Sequence, residues 1–301
     1  MKASLIHQGF QDTVRKYLRP DSLHSGTGEL ALWLYSLIRC IRPRTVLEFG
    51  SGYSTAFLAQ ALCENAANFH EEKRKLESKS TGVGLPGGSG SLDELPREEL
   101  NTLFDWLSRG EDACMAAPGF YLADPGPYFH CFEAQPADHP YSRNLEKMLS
   151  ELELGNLTDL HFGDEFSGLE AGQHALAKIP EDHLPIDLAW NDYHFYREFF
   201  LAIWPHLNPD GGMLVFHSTS NPHYKADVEW IADTLKDSEP AECFTLFEPA
   251  RLMQNGCTVL RKTRRGGSHF LLEQDRDRIR RELVELLAGV EEIRGPARQP
   301  R

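Results

Sequence analysis

Six side chains with acid–base or hydrogen-bonding chemistry stand at the ends of short apolar runs. Glu48 follows Thr45-Val46-Leu47, Glu133 ends the run from Tyr128, and Asp164 comes just after Leu157–Phe162. Asp192 and His194 follow Pro185–Trp190, and His217 ends the run from Met213. Runs of this length bounded by turn residues read as strands buried on both faces of a parallel sheet. Such a sheet binds ligands outside the carboxyl ends of its strands, so the six residues are expected around one crevice. There a carboxylate accepts hydrogen bonds from hydroxyl and ammonium groups, and an imidazole titrates close enough to neutrality to move a proton. Each also has a plainer use: an acid at a strand end caps the next helix, and a histidine there often completes a hydrogen bond of the fold.

The residues after Glu48 narrow the ligand. Gly50 and Gly52 flank Ser51, and a helical pattern opens at Ser54-Thr55, so a strand, a tight turn and a helix N-terminus succeed one another. The free N–H groups of that helix end face whatever the turn holds. The dinucleotide fingerprint wants a third glycine where this chain has Thr55. An acid ahead of the first glycine suits a ligand carrying an ammonium group and hydroxyls rather than a pyrophosphate. Glu48-Phe49-Gly50-Ser51-Gly52-Tyr53-Ser54-Thr55 resembles the first motif of class I S-adenosylmethionine-dependent methyltransferases of the small-molecule type. The resemblance implies an α/β fold: a doubly wound, mostly parallel seven-stranded sheet with an antiparallel last strand. It also implies S-adenosylmethionine as cofactor. Glu48 and the Gly50-Ser51-Gly52 turn, with Ser54 beside it, would meet its methionine end. Glu133 would take the ribose hydroxyls and Asp164 the adenine amine.

Methyl transfer asks a protein to align nucleophile, methyl carbon and sulfur and to exclude water. A hydroxyl or protonated amine acceptor also benefits from a general base; His194 and His217, with Asp192 beside them, are the best placed, and His223 and His24 less so. Cation-dependent O-methyltransferases, which the chain also resembles in outline, carry an acid after the fourth strand and an Asp-Asn pair after the fifth. Asp192 matches the first position, but His217-Ser218 departs from the second. Magnesium prefers oxygen ligands, so no metal is expected; a softer divalent ion on Asp192 and His217 is the alternative. Substrate contacts are expected from Asp192–Tyr196, Ser218–Tyr224 and the final hairpin loop with Arg251 and Asn255. Trp190, Tyr193, Phe195, Tyr196 and Tyr224 either wall a pocket for an apolar or aromatic small molecule or pack in the core. Two other functions fit the same elements. One is a nicotinamide-dependent oxidoreductase, against which Thr55 and Glu48 weigh; the other is a non-catalytic, cofactor-binding assembly protein.

The elements that position these residues alternate along the chain. Leu5, Ile6, Phe10, Val14 and Leu18 give an amphipathic helix, and Leu30–Cys40 a second; these N-terminal helices occupy 1–44. A cofactor-binding domain spans 45–263. In it helices over Thr55 to Asn65, Tyr141–Leu154, Tyr196–Leu207 and Tyr224–Asp237 alternate with the strands, and Cys243–Phe247 and Cys257–Arg261 close it as a hairpin. Glu133 lies 83 residues beyond Gly50, whereas a ribose-binding acid usually lies about 20 residues on. An insertion at 68–126 accounts for the difference. It opens with Glu71-Glu72-Lys73-Arg74-Lys75, passes a Gly/Ser/Pro stretch at 81–91 and holds a helix over Pro96–Ser108. Helix-to-strand connections lie at the edge away from the ligand, so the insertion is expected to serve packing or association. The tail, 264–301, is charged; Leu272, Ile279, Leu283, Leu286, Val290 and Ile293 step along it as an a/d seam, for docking on its own domain or for a dimer.

A net charge of −14 has the wrong sign for gripping nucleic-acid phosphates. The six scattered cysteines, most of them in apolar runs, read as buried free thiols rather than disulfides or a zinc site. No signal peptide opens the chain and no apolar run approaches membrane length. A cytoplasmic protein with a small-molecule substrate, no nucleic-acid or membrane partner, and homodimer contacts, if any, through tail or insertion is the expectation.

Overall fold

The computed structural model describes residues 8–18, 28–82, 118–121, 126–238, 240–247, 255–263, 281, 282 and 285. The Pro96–Ser108 helix, most of the Gly/Ser/Pro stretch, the seam of the tail, Arg251 and His24 lie outside them.

Seven strands form one sheet: Thr45–Phe49 (β1), Tyr128–Glu133 (β2), Thr158–Phe162 (β3), Leu188–Asn191 (β4), Met213–His217 (β5), Ala241–Leu246 (β6) and Cys257–Lys262 (β7). Their order is β3-β2-β1-β4-β5-β7-β6. β7 runs antiparallel to both neighbours, and the other strands share one direction. The expected architecture is met, with some boundaries moved. β4 starts at Leu188 rather than Pro185, because Ile186 makes only an isolated bridge to Leu207. β6 starts at Ala241, ahead of the expected Cys243.

Among the described residues the α-helices are Gln8–Tyr17 (α1), Gly28–Ile41 (α2), Tyr53–Gly82 (α3), Pro140–Glu151 (α4), Ala171–Leu176 (α5), Tyr196–Ile203 (α6) and Pro222–Ser238 (α7). α6 tightens into a 3-10 turn at Trp204–His206, where Pro205 cannot donate the next helical hydrogen bond. α3 continues well past Asn65, through the charged run, where Lys75 bonds Glu71 at 2.7 Å across one helical turn.

Every residue of β1 is buried because both faces are covered. One face carries Val46, Phe129, Cys131, Leu188, Trp190, Val215 and Val259, packed with residues of α1, α2, α3 and α4. The other carries Leu47, Phe49, Phe132, Ala189, Leu214, Phe216 and Leu260, packed with α5, α6 and α7. On that second face His130 Nε2 lies 2.9 Å from His183 Nδ1, and its Nδ1 lies 3.5 Å from both His161 Nε2 and Asp159 Oδ2.

The chain divides into two compact units, Met1–Asn65 with Pro127–Gly267, and Ala66–Gly126 with Ser268–Arg301. The first holds the sheet. In the second, Phe69 packs against the rings of Phe120 and Tyr121, and the Tyr121 hydroxyl donates to Glu72 at 2.7 Å.

Candidate functional site

β1 lies between β2 and β4, and beyond its end the chain turns at Gly50 with φ +80°, a conformation costly for residues with a Cβ. A Cβ there would meet the Asp192 carbonyl oxygen at 3.0 Å, so the glycine lets the exits of β1 and β4 touch. Gly50 N–H donates to the Phe132 carbonyl at 3.0 Å and Asp192 N–H to that of Phe49 at 2.9 Å, which ties three strand ends together. Gly52 N–H donates to Thr55 Oγ1 at 2.7 Å. The Tyr141 hydroxyl donates to the Ser51 carbonyl at 2.7 Å, and a Cβ on Gly52 would lie 2.6 Å from it. Both glycine N–H groups are thus engaged inside the fold.

Around this turn stand carboxylates from three strands. Glu48 is fully buried and accepts from Ser54 Oγ at 2.6 Å and Cys131 Sγ at 3.4 Å. Burial pushes its carboxyl up to about 7 against those hydrogen bonds, and the Asp192 charge adds to the rise. Glu133, also buried, accepts from Ser51 Oγ at 2.9 Å and Gln135 N–H at 3.0 Å, and burial again raises it. The Tyr141 hydroxyl is held well above its ordinary range by burial first, then by the charges of Glu133, Glu48 and Asp192. One hydroxyl thus lies within electrostatic reach of all three acids.

Asp192 pairs with His217, whose Nδ1 lies against Oδ1. The side chain of His217 is 1% exposed and that of Asp192 28%. His217 Nε2 is buried with no partner. The Trp190 ring stacks on the imidazole at 5.6 Å, and its own Nε1 is likewise buried and unpartnered. The Tyr196 hydroxyl donates to the His217 carbonyl. Thr219 N–H donates to Gly256 O at 3.1 Å and Ser220 N–H to Asn255 O at 3.0 Å, fastening the exit of β5 to the start of β7. Phe195 and Ser218, just past β4 and β5, have φ of +60° and +58°; such strain costs on the order of 1–3 kcal/mol per residue and concentrates at functional sites.

Glu48, Gly50, Ser51, Gly52, Ser54, Glu133, Asp192 and His217 are thus brought together. Asp164 and His194 stand on the exposed surface. Asp164 opens a 3-10 turn, its carbonyl accepting from Ser167. His194 Nδ1 meets the Tyr224 hydroxyl, with the two rings stacked at 5.6 Å. Trp190 and Tyr196 are core residues, while Tyr193, Phe195 and Tyr224 remain partly exposed at the rim. Three residues not singled out from sequence belong here, Cys131, Tyr141 and Asn191, together with Thr55, which was read only as the residue in place of a third glycine. Asn191 is fully buried; its Oδ1 accepts from Tyr193 N–H at 2.7 Å and its Nδ2 has no partner. Its place at the end of an apolar run was a usable signal, whereas nothing in the spacing placed Tyr141 over the turn.

Among the described residues, no group of three or more His, Cys, Asp or Glu side chains is arranged to hold a metal ion. The described cysteines are free thiols; Cys131 and Cys257 are buried as expected, whereas Cys40, Cys63 and Cys243 are exposed. No described helix is long and apolar enough to cross a membrane.

No family model and no curated protein matches the chain by sequence. Among solved structures it is similar to an O-methyltransferase from Bacillus cereus in complex with SAH: 11% identity, 87% of this chain and 94% of that one covered, TM-score 0.51. It is also similar to a putative O-methyltransferase from Klebsiella pneumoniae: 13% identity, 86% and 91% covered, TM-score 0.50. At these identities the likeness establishes the fold, the Rossmann-like α/β arrangement of methyltransferases with its reversed strand.

Proposed function

We propose that this chain is an S-adenosylmethionine-dependent methyltransferase acting on a hydroxyl or amine of a small metabolite in the cytoplasm. The observation that carries the reading is the convergence of three carboxylates on the glycine turn: Ser51 bonds Glu133, Ser54 bonds Glu48, and Asp192 lies against Gly50. Such a place repels pyrophosphate and suits a cation that also carries hydroxyls, which counts against the nicotinamide alternative. The fold shared with an enzyme crystallised with SAH supports the same reading.

The donor set fits that cofactor. Glu48 is the partner for an ammonium group at the turn, losing its proton as the cation arrives. Glu133 keeps unused lone pairs on both carboxylate oxygens for vicinal hydroxyls. Ser51 and Ser54 hold these two acids in place, and Asp164 is the candidate for the adenine amine. The bound cofactor supplies an electrophilic methyl group on a sulfonium. The chain's own tasks are to orient the acceptor, keep water out and move one proton; Asp192, His194 and His217 are the candidate residues. We also propose the division into N-terminal helices at 1–44, a cofactor-binding domain at 45–263 with an insertion at 68–126, and a tail at 264–301, the insertion or tail serving any homodimer contact.

Isothermal calorimetry with SAH and with NAD tests the reading. Saturable binding of SAH, lost in Glu48→Gln and Glu133→Gln, is expected. Binding of NAD in its place, or of neither, overturns it.

A further inference from the structure

We propose that Tyr141 is a specificity residue that reads the charge on the cofactor's sulfur. Its hydroxyl oxygen faces the sulfonium and favours the methyl-bearing cofactor over the demethylated product. The inference rests on the proposed S-adenosylmethionine reading and deepens it by naming what lets the spent cofactor go.

The side chain is built into the glycine turn. Tyr141 stands in the first turn of α4, and its hydroxyl donates to the Ser51 carbonyl at 2.7 Å. A Cβ on residue 52 would lie 2.6 Å from the hydroxyl oxygen, so a glycine there is what leaves it room. Ser51 Oγ in turn donates to Glu133 at 2.9 Å, and Ser54 Oγ to Glu48 at 2.6 Å. The Ser51-Gly52 peptide against the hydroxyl therefore lies between the two acids that the turn holds. The charges of Glu133, Glu48 and Asp192 all reach this hydroxyl. In the proposed cofactor the sulfur joins the amino-acid chain to the ribose. With Glu48 the candidate for the ammonium and Glu133 for the ribose hydroxyls, the atom linking those parts belongs beside Ser51 and Gly52, where Tyr141 is.

The oxygen offers what such a centre needs. A phenol hydroxyl donates once and can also accept. Here the proton goes to the Ser51 carbonyl, and among the described residues nothing donates to the oxygen. Its lone pairs, at the negative end of the O–H dipole, are left for a ligand. A sulfonium has no N–H or O–H; its charge is shared with the adjoining C–H groups, which such an oxygen attracts. A carboxylate or phenolate in that place would compete with the acceptor for the methyl group. Burial first, and then the three acids, keep the proton on Tyr141 well above its ordinary range, so it stays a neutral, weak nucleophile. Tyr193, Tyr196 and Tyr224 spend their hydroxyls elsewhere, on the Ser167 carbonyl, the His217 carbonyl and His194. Once the methyl group has left, the sulfur is neutral and this attraction ends, while the ammonium and ribose contacts stay. Tyr141 thereby loosens the hold on the product relative to the reactant.

The test titrates the full chain with S-adenosylmethionine and with SAH by isothermal calorimetry, no acceptor being present. Tyr141→Phe keeps the ring and removes the oxygen, and the carboxylates are common to parent and variant. The variant should bind SAH nearly as the parent does. It should bind S-adenosylmethionine about 3–10-fold more weakly, the worth of a weak hydrogen bond assisted by charge. A role confined to holding Ser51 would weaken both ligands alike. In the parent labelled with ¹³C at the tyrosine Cζ, the Tyr141 signal should move further with S-adenosylmethionine than with SAH, a comparison that stands whatever the stability of the variant. The inference is overturned by equal weakening of both ligands, by a larger loss of SAH, by no change in either, or by a Tyr141 signal that moves alike with the two. Failure of both ligands to bind the parent overturns the proposed function instead.

Discussion

Replacing Glu48 with glutamine should make the ligand-free protein more stable, by an amount that grows with pH. In the fold the Glu48 carboxyl stands at about 7 rather than the ordinary 4.5 because it is fully buried. Between those values the unfolded chain has lost the proton and the folded chain retains it, so stability falls as pH rises. The loss begins near 4.5 and is complete once pH passes about 7. At about 1.36 kcal/mol for each tenfold change in proton affinity, it amounts to about 3 kcal/mol. Glutamine carries no such charge and keeps an oxygen for the Ser54 hydroxyl, which donates to Glu48 Oε1 at 2.6 Å. Urea unfolding of parent and variant across this pH range isolates the effect, because every other titrating group cancels in the difference. The two proteins should differ little at the acid end, with the variant ahead by about 3 kcal/mol at the alkaline end. A difference that stays flat with pH, or a variant that falls further behind as pH rises, would refute the reasoning that Glu48 is buried at an energetic cost. The same variant should lose SAH binding, so the acid would be kept for the ligand against the interest of the fold.

Other expectations follow from single contacts. Gly52→Ala should cost more than about 1 kcal/mol in thermal unfolding, since its Cβ would lie 2.6 Å from the Tyr141 hydroxyl; in a Tyr141→Phe background most of that cost should vanish, and simple additivity would show the clash is not with that oxygen. Gly256→Ala should cost on the order of 1–3 kcal/mol, because φ is +86° and the new Cβ would meet Ser220 N at 2.7 Å; a neutral result by denaturant unfolding would contradict that geometry. His130 is pushed down to about 4 by burial, with Asp159 opposing and His161 and His183 adding. The unfolded chain takes up that proton first, so the parent should lose stability relative to His130→Gln as pH falls from 6.5 towards 4. Tyr128, stacked on His183, and Lys178, near His161, are the other titratable groups facing this cluster and are common to both proteins. Parallel acid unfolding curves would be evidence against a neutral buried His130.

The strand ends were legible because burial on both faces forces apolar runs, and the residue that ends such a run is set at the ligand edge. That logic placed Glu48, Glu133, Asp192 and His217 beside one another from spacing alone. It set His194 with them too, and the structure has His194 on the exposed surface, because period and polarity say that a residue follows a strand and not which way its loop turns. Here the left-handed Phe195 directs the chain so that His194 reaches Tyr224. The extension of α3 was hidden by composition: Glu71 and Lys75 read as part of the charged run that opens the insertion, although their spacing also makes an ion pair across a helical turn. Tyr141 was illegible for a different reason. Its contact with Ser51 joins residues 90 positions apart, and nothing local to either records it. Trp190 and Tyr196 show the limit of reading aromatics near a site as pocket walls, for both went into the core.

The reversed β7 has a bearing on how this edge of the molecule can change over generations. Because it runs against β5, it begins where β5 stops, and the two are laced through amides and carbonyls at Thr219, Ser220, Asn255 and Gly256. A lacing of backbone groups is indifferent to what side chains decorate it. The side chains of Thr219, Ser220 and Asn255 add hydrogen bonds to this lacing, so exchanging one of them loosens the edge while the backbone bonds still hold His217 in place. Of the four, Gly256 alone is barred by geometry from exchange. An imidazole mounted this way can be offered to new acceptors by altering its neighbours, with the mount itself inherited intact.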